Sequence, residues 1–166
     1  MRLIIRSSPI HRKGCYTTSP IRKSARVIEY TGDRITVEEG NQRHPERGYT
    51  RLYGLSDRKH VIDGKGKAAF INHSCNPNCK ITEIRRQVWI IALRDIAAGE
   101  ELTYDYNLYD GDLEEDVPCR CGADNCRGTM YSEKGLARLR KAGLERTSVD
   151  RERRQSTRRT GARRHG

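Results

Sequence analysis

The stretch Ala69-Phe70-Ile71-Asn72-His73-Ser74-Cys75-Asn76-Pro77-Asn78 changes character at its middle. An apolar start gives way to a polar, turn-forming run with a cysteine inside it. Taken alone, Asn72-His73 reads as a turn. The residues on either side read differently. Cys79 to Ile84 and Gln87 to Leu93 form an expected β-hairpin, with Arg85-Arg86 at its turn. The run Val88 to Leu93 is far shorter than the roughly 20 apolar residues of a membrane span, so it is expected as a buried strand and no membrane partner is expected.

Further out, short β-branched runs dominate. Arg2 to Ile5, Arg26 to Tyr30, Tyr49 to Leu55 and Lys59 to Ile62 read as strands. Glu101 to Tyr104 is another, entered from a Gly99-Glu100 turn. Thr36 to Arg43 fits one short helix. No long amphipathic helix precedes residue 133, which excludes a doubly wound α/β fold. The expected class is mostly β, a set of small sheets with short helices and irregular connections.

The six cysteines are expected to bind metal rather than to pair, because Met1 to Arg6 is too short and too soon charged to act as a secretory signal. Cys119, Cys121 and Cys126 follow a C-x-C-x4-C spacing. Three thiols so close suit a tetrahedral Zn²⁺, which needs a fourth ligand. Cys15, Cys75 and Cys79 are the candidates, and spacing alone does not separate Cys75 from Cys79.

The net charge of +11 is unevenly spread. Residues 133 to 166 carry twelve Lys/Arg and four Asp/Glu, a net +8, which leaves +3 for the rest. Leu136, Leu139 and Leu144 sit at rough helical spacing among the basic residues, so a basic helix is expected there. From Thr147 the chain is Arg/Ser/Thr/Gly-rich and reads as disordered. Such a tail points to nucleic acid as an acidic partner.

The segment at 69–78 resembles the SET-domain lysine methyltransferases. So do Gly99-Glu100-Glu101-Leu102-Thr103-Tyr104-Asp105-Tyr106, the post-SET-like Cys119-Arg120-Cys121-Gly122-Ala123-Asp124-Asn125-Cys126-Arg127-Gly128, and more loosely Ser8 to Gly14 with Val27 to Gly32. The four occur in family order. The resemblance implies a SET fold of small sheets with a pseudoknot, closed by a C-terminal post-SET zinc knot. It also implies Cys75 as the fourth zinc ligand beside Cys119, Cys121 and Cys126, for one structural Zn²⁺. The implied cofactor is S-adenosylmethionine, held by His11, Lys13, Tyr49, Asn72, His73 and Arg120. Tyr106 matches the catalytic tyrosine and Tyr30 a channel tyrosine. Tyr104 stands where the family carries Tyr or Phe, and tyrosine there leans toward monomethylation.

Tyrosines suit such a channel. Only a neutral lysine amine attacks a methyl group, and neutrality at pH 7 costs about 4.6 kcal/mol. An apolar, aromatic wall lowers that cost. Two positions depart from the family pattern. Arg12-Lys13-Gly14 replaces a common Gly-x-Gly, and Ala69 replaces a common arginine, removing an ion-pairing or packing group. The implied organisation is a SET domain at 2–107, a link and zinc knot at 108–131, and a basic helix and tail at 132–166. The expected protein is intracellular and chromosome-associated, in a nucleoid or a nucleus. It acts on a lysine-bearing basic protein, a histone or histone-like one. The competing readings are a catalytically weak SET-like interaction module and a zinc-stapled nucleic-acid-binding protein.

Overall fold

The computed structural model describes residues 2–44, 51–108 and 117–141. The hairpin expected around Arg85-Arg86 is present: β8 (Cys79–Ile84) pairs antiparallel with β9 (Gln87–Ala92). Its two turn residues have φ of 49° and 68°. This is the left-handed backbone of a tight hairpin turn, adopted here by arginines although Asn-Gly suits it better. β3 (Arg26–Glu29) completes this sheet in the order β3-β9-β8. Val88, Ile90 and Ala92 alternate inward from β9 and are almost fully buried, the two-residue period of a strand with one face in the core.

A second three-stranded sheet has the order β4-β6-β5, from β4 (Gly32–Thr36), β5 (Leu52–Gly54) and β6 (His60–Gly64). β4 was not expected. Its only buried apolar residue is Ile35, so it shows no alternation; its pairing with β6 makes it a strand. The next residue, Val37, opens α1 (Val37–Arg43), where the Thr36 hydroxyl accepts the Glu39 N–H at 3.1 Å. That is an ordinary N-cap, and it places the helix where its sequence did.

β1 (Leu3–Ser7) and β2 (Lys13–Thr17) form an antiparallel pair, Ile5 opposite Cys15. The last pair is parallel: β7 (Asn72–His73) lies beside β10 (Thr103–Tyr104). It continues as Ser74 N–H donates to the Tyr104 carbonyl at 3.2 Å. The 69–78 stretch is therefore no surface turn. A 3-10 turn at Lys67–Phe70 delivers it into the core, where it runs alongside the chain that leads to Tyr106. Asn78, buried, fastens the crossing. Its amide donates to the Glu101 carbonyl at 2.7 Å and its oxygen accepts the Thr103 N–H at 2.9 Å. Side-chain pairing of this sort satisfies backbone groups where a ladder has ended.

The architecture is mostly β in several small sheets with short helices, as the SET fold requires. Its core centres on Ile71, Val88, Ile90, Ile96 and Leu102. The chain divides into two compact units, one of Met1–Tyr106 with Pro118–Met130, the other of Asn107–Val117 with Tyr131–Gly166. In the second, α2 (Glu133–Lys141) is capped by Ser132, whose hydroxyl accepts the Gly135 N–H at 3.0 Å. Gly135 packs against the Leu108 carbonyl, leaving no room for a Cβ. The Leu108–Pro118 link, the Tyr49 end of the expected strand and the tail after Lys141 lie wholly or largely outside the described residues. Among the described residues no helix is long and apolar enough to cross a membrane.

Candidate active site and metal centre

Tyr104 on β10 and Tyr106 just beyond it have ring centroids 4.9 Å apart. Tyr30, following β3, lies 5.9 Å from Tyr53 on β5. Charge on Tyr104 would be felt by Tyr106, Tyr30 and Tyr53 alike, so the four form one aromatic group. Burial, followed by the other tyrosines, holds the Tyr104 hydroxyl well above its ordinary range. Burial likewise pushes the Tyr106 hydroxyl up to about 12. None is a base near neutral pH; they are dipoles in a dry place. The Tyr30 hydroxyl donates to the Arg51 carbonyl at 2.6 Å and its ring packs over Gly64, where a Cβ would collide with it. The Tyr106 hydroxyl donates to the Ile71 carbonyl at 3.1 Å. Tyr53 was not singled out in the sequence. Only its placement on β5 brings it to Tyr30.

His73 orients the chain at Tyr106. Its Nδ1 accepts the Tyr106 N–H at 3.1 Å, and the two rings meet edge to face at 5.3 Å. Burial drops its pKa to about 4, so a neutral ring accepts that bond. Asp105 lies 3.4 Å from the same nitrogen and is held at 2.9 Å by Arg127 from the C-terminal knot.

Asn72 turns toward the β1–β2 connection. Its amide nitrogen lies 2.8 Å from Glu101 Oε1, 3.1 Å from Ser8 Oγ, 3.1 Å from the Lys13 carbonyl and 3.4 Å from that of His11. Glu101 also receives hydrogen bonds from the Ser8 hydroxyl at 2.8 Å and the Tyr16 hydroxyl at 2.7 Å. A Cβ on Gly14 would collide with that carboxylate, so glycine is retained there for space. Arg12, at the missing glycine, has φ of 40°. The loop thus keeps a glycine-like backbone without the glycine, at a cost of about 1 kcal/mol or more. Burial, then the charges of Arg12 and Arg120, lower the pKa of His11. Arg120 therefore stands near this loop. His11, Lys13, Asn72, His73 and Arg120 are brought to one neighbourhood; Tyr49 lies outside the described residues.

The sulfurs of Cys75, Cys119, Cys121 and Cys126 all lie within 4.8 Å of one another. Zn–S bonds of about 2.3 Å in a tetrahedron place sulfurs about 3.8 Å apart, and Cys75 and Cys119 are separated by 3.7 Å. Backbone N–H groups point at the sulfurs. Arg127 N–H donates to Cys75, Cys75 N–H to Cys121, and Gly128 N–H to Cys126, each at 3.4 Å. Such donors favour thiolates. Burial pushes the Cys121 thiol up, but hydrogen bonds from Cys75 and Ala123 N–H groups and from its neighbours outweigh it, and it falls to about 6. The set fits a post-SET zinc site. Cys15 and Cys79 are fully buried on strands elsewhere, with thiols pushed up to about 11 and about 12 by burial. The alternative between Cys75 and Cys79 that spacing left open is resolved in this geometry: Cys75 joins the cluster.

The model of the SET domain family matches residues 12–107. A Saccharomyces cerevisiae protein named "Histone-lysine N-methyltransferase, H3 lysine-4 specific" is 45% identical over 135 residues, covering 74% of this chain and 12% of that protein. A Candida albicans protein of the same name is 40% identical over 138 residues, 74% of this chain and 13% of its own length. The Drosophila melanogaster "Histone-lysine N-methyltransferase trr" is 41% identical over 133 residues, 74% of this chain and 6% of its own. The chain thus spans a small part of each of these relatives. With the family match running from the β1–β2 loop through Tyr106 and the cysteine cluster following it, the chain belongs to the SET domain family.

Proposed function

We propose that this chain is an S-adenosylmethionine-dependent protein-lysine N-methyltransferase acting on histones, with histone H3 the first substrate to test, and that it stops mainly at monomethylation. The observation that carries the reading is the group of buried Tyr30 and Tyr104 with partly buried Tyr53 and Tyr106, beside the Asn72-His73 segment. The names of its relatives support the substrate class.

The residues divide the work. Tyr106, Tyr104 and Tyr30, with Tyr53 added from the structure, wall a dry channel that disfavours the ammonium form of a lysine. His73, through the Tyr106 N–H, holds the backbone that positions Tyr106. Asn72 and Ser8 fix the loop carrying His11 and Lys13, and Arg120 approaches it from the knot; together with Tyr49 they are the proposed cofactor contacts. Bound S-adenosylmethionine supplies a methyl group activated on a sulfonium. Alignment of the amine with that methyl group supplies the rate. Cys75, Cys119, Cys121 and Cys126 would hold one zinc ion that seats the knot. The proposed division is SET domain 2–107, link and knot 108–131, and basic helix and tail 132–166, the tail tethering the enzyme to nucleic acid on chromosomes.

The test is labelled methyl transfer to histone H3 and a histone mixture, with products resolved by mass spectrometry. Wild type is expected to transfer, and Tyr106→Phe to lose about a hundredfold of the rate. Tyr104→Phe is expected to raise di- and trimethylated product. No transfer to any basic protein, with Tyr106→Phe equal to wild type, would favour an interaction module instead.

A further inference from the structure

Glu101 holds a position that the reading above leaves without a purpose. Its partly buried carboxylate accepts hydrogen bonds from the Ser8 hydroxyl, the Tyr16 hydroxyl and the Asn72 amide. All three donors are neutral. Among the described residues no Lys, Arg or His lies within ion-pair distance of it. Arg6 and Lys67 are turned elsewhere. Arg6 stacks over the Tyr16 ring at 3.8 Å and donates to the Gly99 carbonyl. Lys67 donates to the Leu3 carbonyl at 2.6 Å.

Neutral donors stabilise an anion but do not cancel its charge, and in a partly dry site that charge acts over several ångströms. It reaches the reacting centre: Glu101 is among the charges that raise the Tyr106 hydroxyl, after burial itself. It also sits directly beneath the loop, touching Ser8 and leaving Gly14 no room for a side chain. An anion that touches the loop and is felt at Tyr106, with no ion-pair partner among the described residues, is complementary to a cationic ligand.

We propose that Glu101 is a specificity-determining counter-charge that favours the sulfonium form of the cofactor over its neutral thioether product. The proposal rests on the cofactor reading above. S-adenosylmethionine and S-adenosylhomocysteine share the adenosine, the amino group and the carboxylate. They differ in one methyl and one positive charge at sulfur. A carboxylate that merely props the loop supports both ligands equally. A carboxylate that acts by charge supports only the first.

The experiment is calorimetric titration of the full chain with each ligand in turn, at two salt concentrations. Glu101→Gln keeps the shape and one acceptor oxygen but removes the charge. It is expected to weaken S-adenosylmethionine about tenfold and S-adenosylhomocysteine by no more than about twofold. Raising the salt concentration, which screens the charge and leaves the wild-type shape intact, is expected to shift the wild-type ratio in the same direction. It carries the test if Glu101→Gln fails to fold, as judged by circular dichroism. Equal losses for both ligands in a folded Glu101→Gln protein, or a wild-type ratio that salt leaves unchanged, overturn the counter-charge. Wild-type protein that binds neither ligand removes the cofactor reading and this assignment with it.

Discussion

Two segments flank Asn72-His73, and they are held in opposite ways. The Ser8–Lys13 loop is fastened by the chain's own polar groups: the Asn72 amide, the Ser8 hydroxyl and the Glu101 carboxylate. The Cys119–Gly128 knot is built around its sulfurs. Cys119 N–H pairs with the Gly128 carbonyl and Cys126 N–H with that of Ala123, and further N–H groups are aimed at sulfur. Its four sulfurs are arranged for a metal. One flank is held by side-chain hydrogen bonds, and the other carries four sulfurs that could hold an ion. A zinc ion bound there would couple metal binding to completing the site.

The largest effect follows from that contrast. Cys75→Ser removes the ligand that joins knot to site. Zinc content is expected to fall from about one per chain to near none, and hydrogen exchange across Cys119–Gly128 to become fast, while β1 and β2 amides keep their protection. Zinc retained at wild-type level in that variant would break the comparison. A second effect is smaller. A metal-independent tie between the knot and the site is the Arg127–Asp105 ion pair at 2.9 Å, with side chains about one-fifth exposed. Arg127→Ala is expected to cost about 2 kcal/mol in chemical denaturation while leaving zinc content unchanged. A loss of zinc instead would show that the pair acts only through the cluster.

The two flanks also differ in how plainly the sequence displayed them. Cys119, Cys121 and Cys126 announce themselves because metal chemistry imposes a short, regular spacing. Even so, spacing could not choose the fourth ligand. Cys75 and Cys79 are separated by four residues, and only the parallel run of Asn72-His73 beside Thr103-Tyr104 puts the first at the knot and the second in the core. The loop carries no such signature. Its supports lie at positions 8, 72 and 101, joined by hydrogen bonds that span up to 93 residues. Glu101 read as one more strand residue, and Tyr53 as one more half-buried tyrosine, because neither spacing nor periodicity records a contact made by threading. The hairpin at Arg85-Arg86 and the helix after Thr36 were legible for the converse reason: local turn and cap chemistry determined them. β4 was not, because its pairing with β6 outweighs a sequence with one buried apolar residue.

The smallest effect sits inside the loop and separates the two kinds of glycine requirement. Gly14 is needed for space, since any Cβ meets Glu101. Position 12 needs glycine's conformation instead, because Arg12 holds φ at 40°. Arg12→Gly relieves about 1–2 kcal/mol of left-handed strain. It also gives the unfolded chain more freedom, which returns about 0.5–1 kcal/mol. The net stabilisation is therefore expected to be about 0–1.5 kcal/mol, read as a rise of up to about 3–6 °C in Tm. Gly14→Ala should destabilise, as the matched control. The substitution has an electrostatic mark as well. Arg12's charge is one of the causes that lower the His11 pKa, after burial. Removing it must move that pKa upward, toward the ordinary histidine range. An NMR titration of His11 that moves downward, or Arg12→Gly and Gly14→Ala shifting Tm in the same direction, would mean that the loop is held by contacts to the arginine side chain rather than by the backbone that Asn72, Ser8 and Glu101 support.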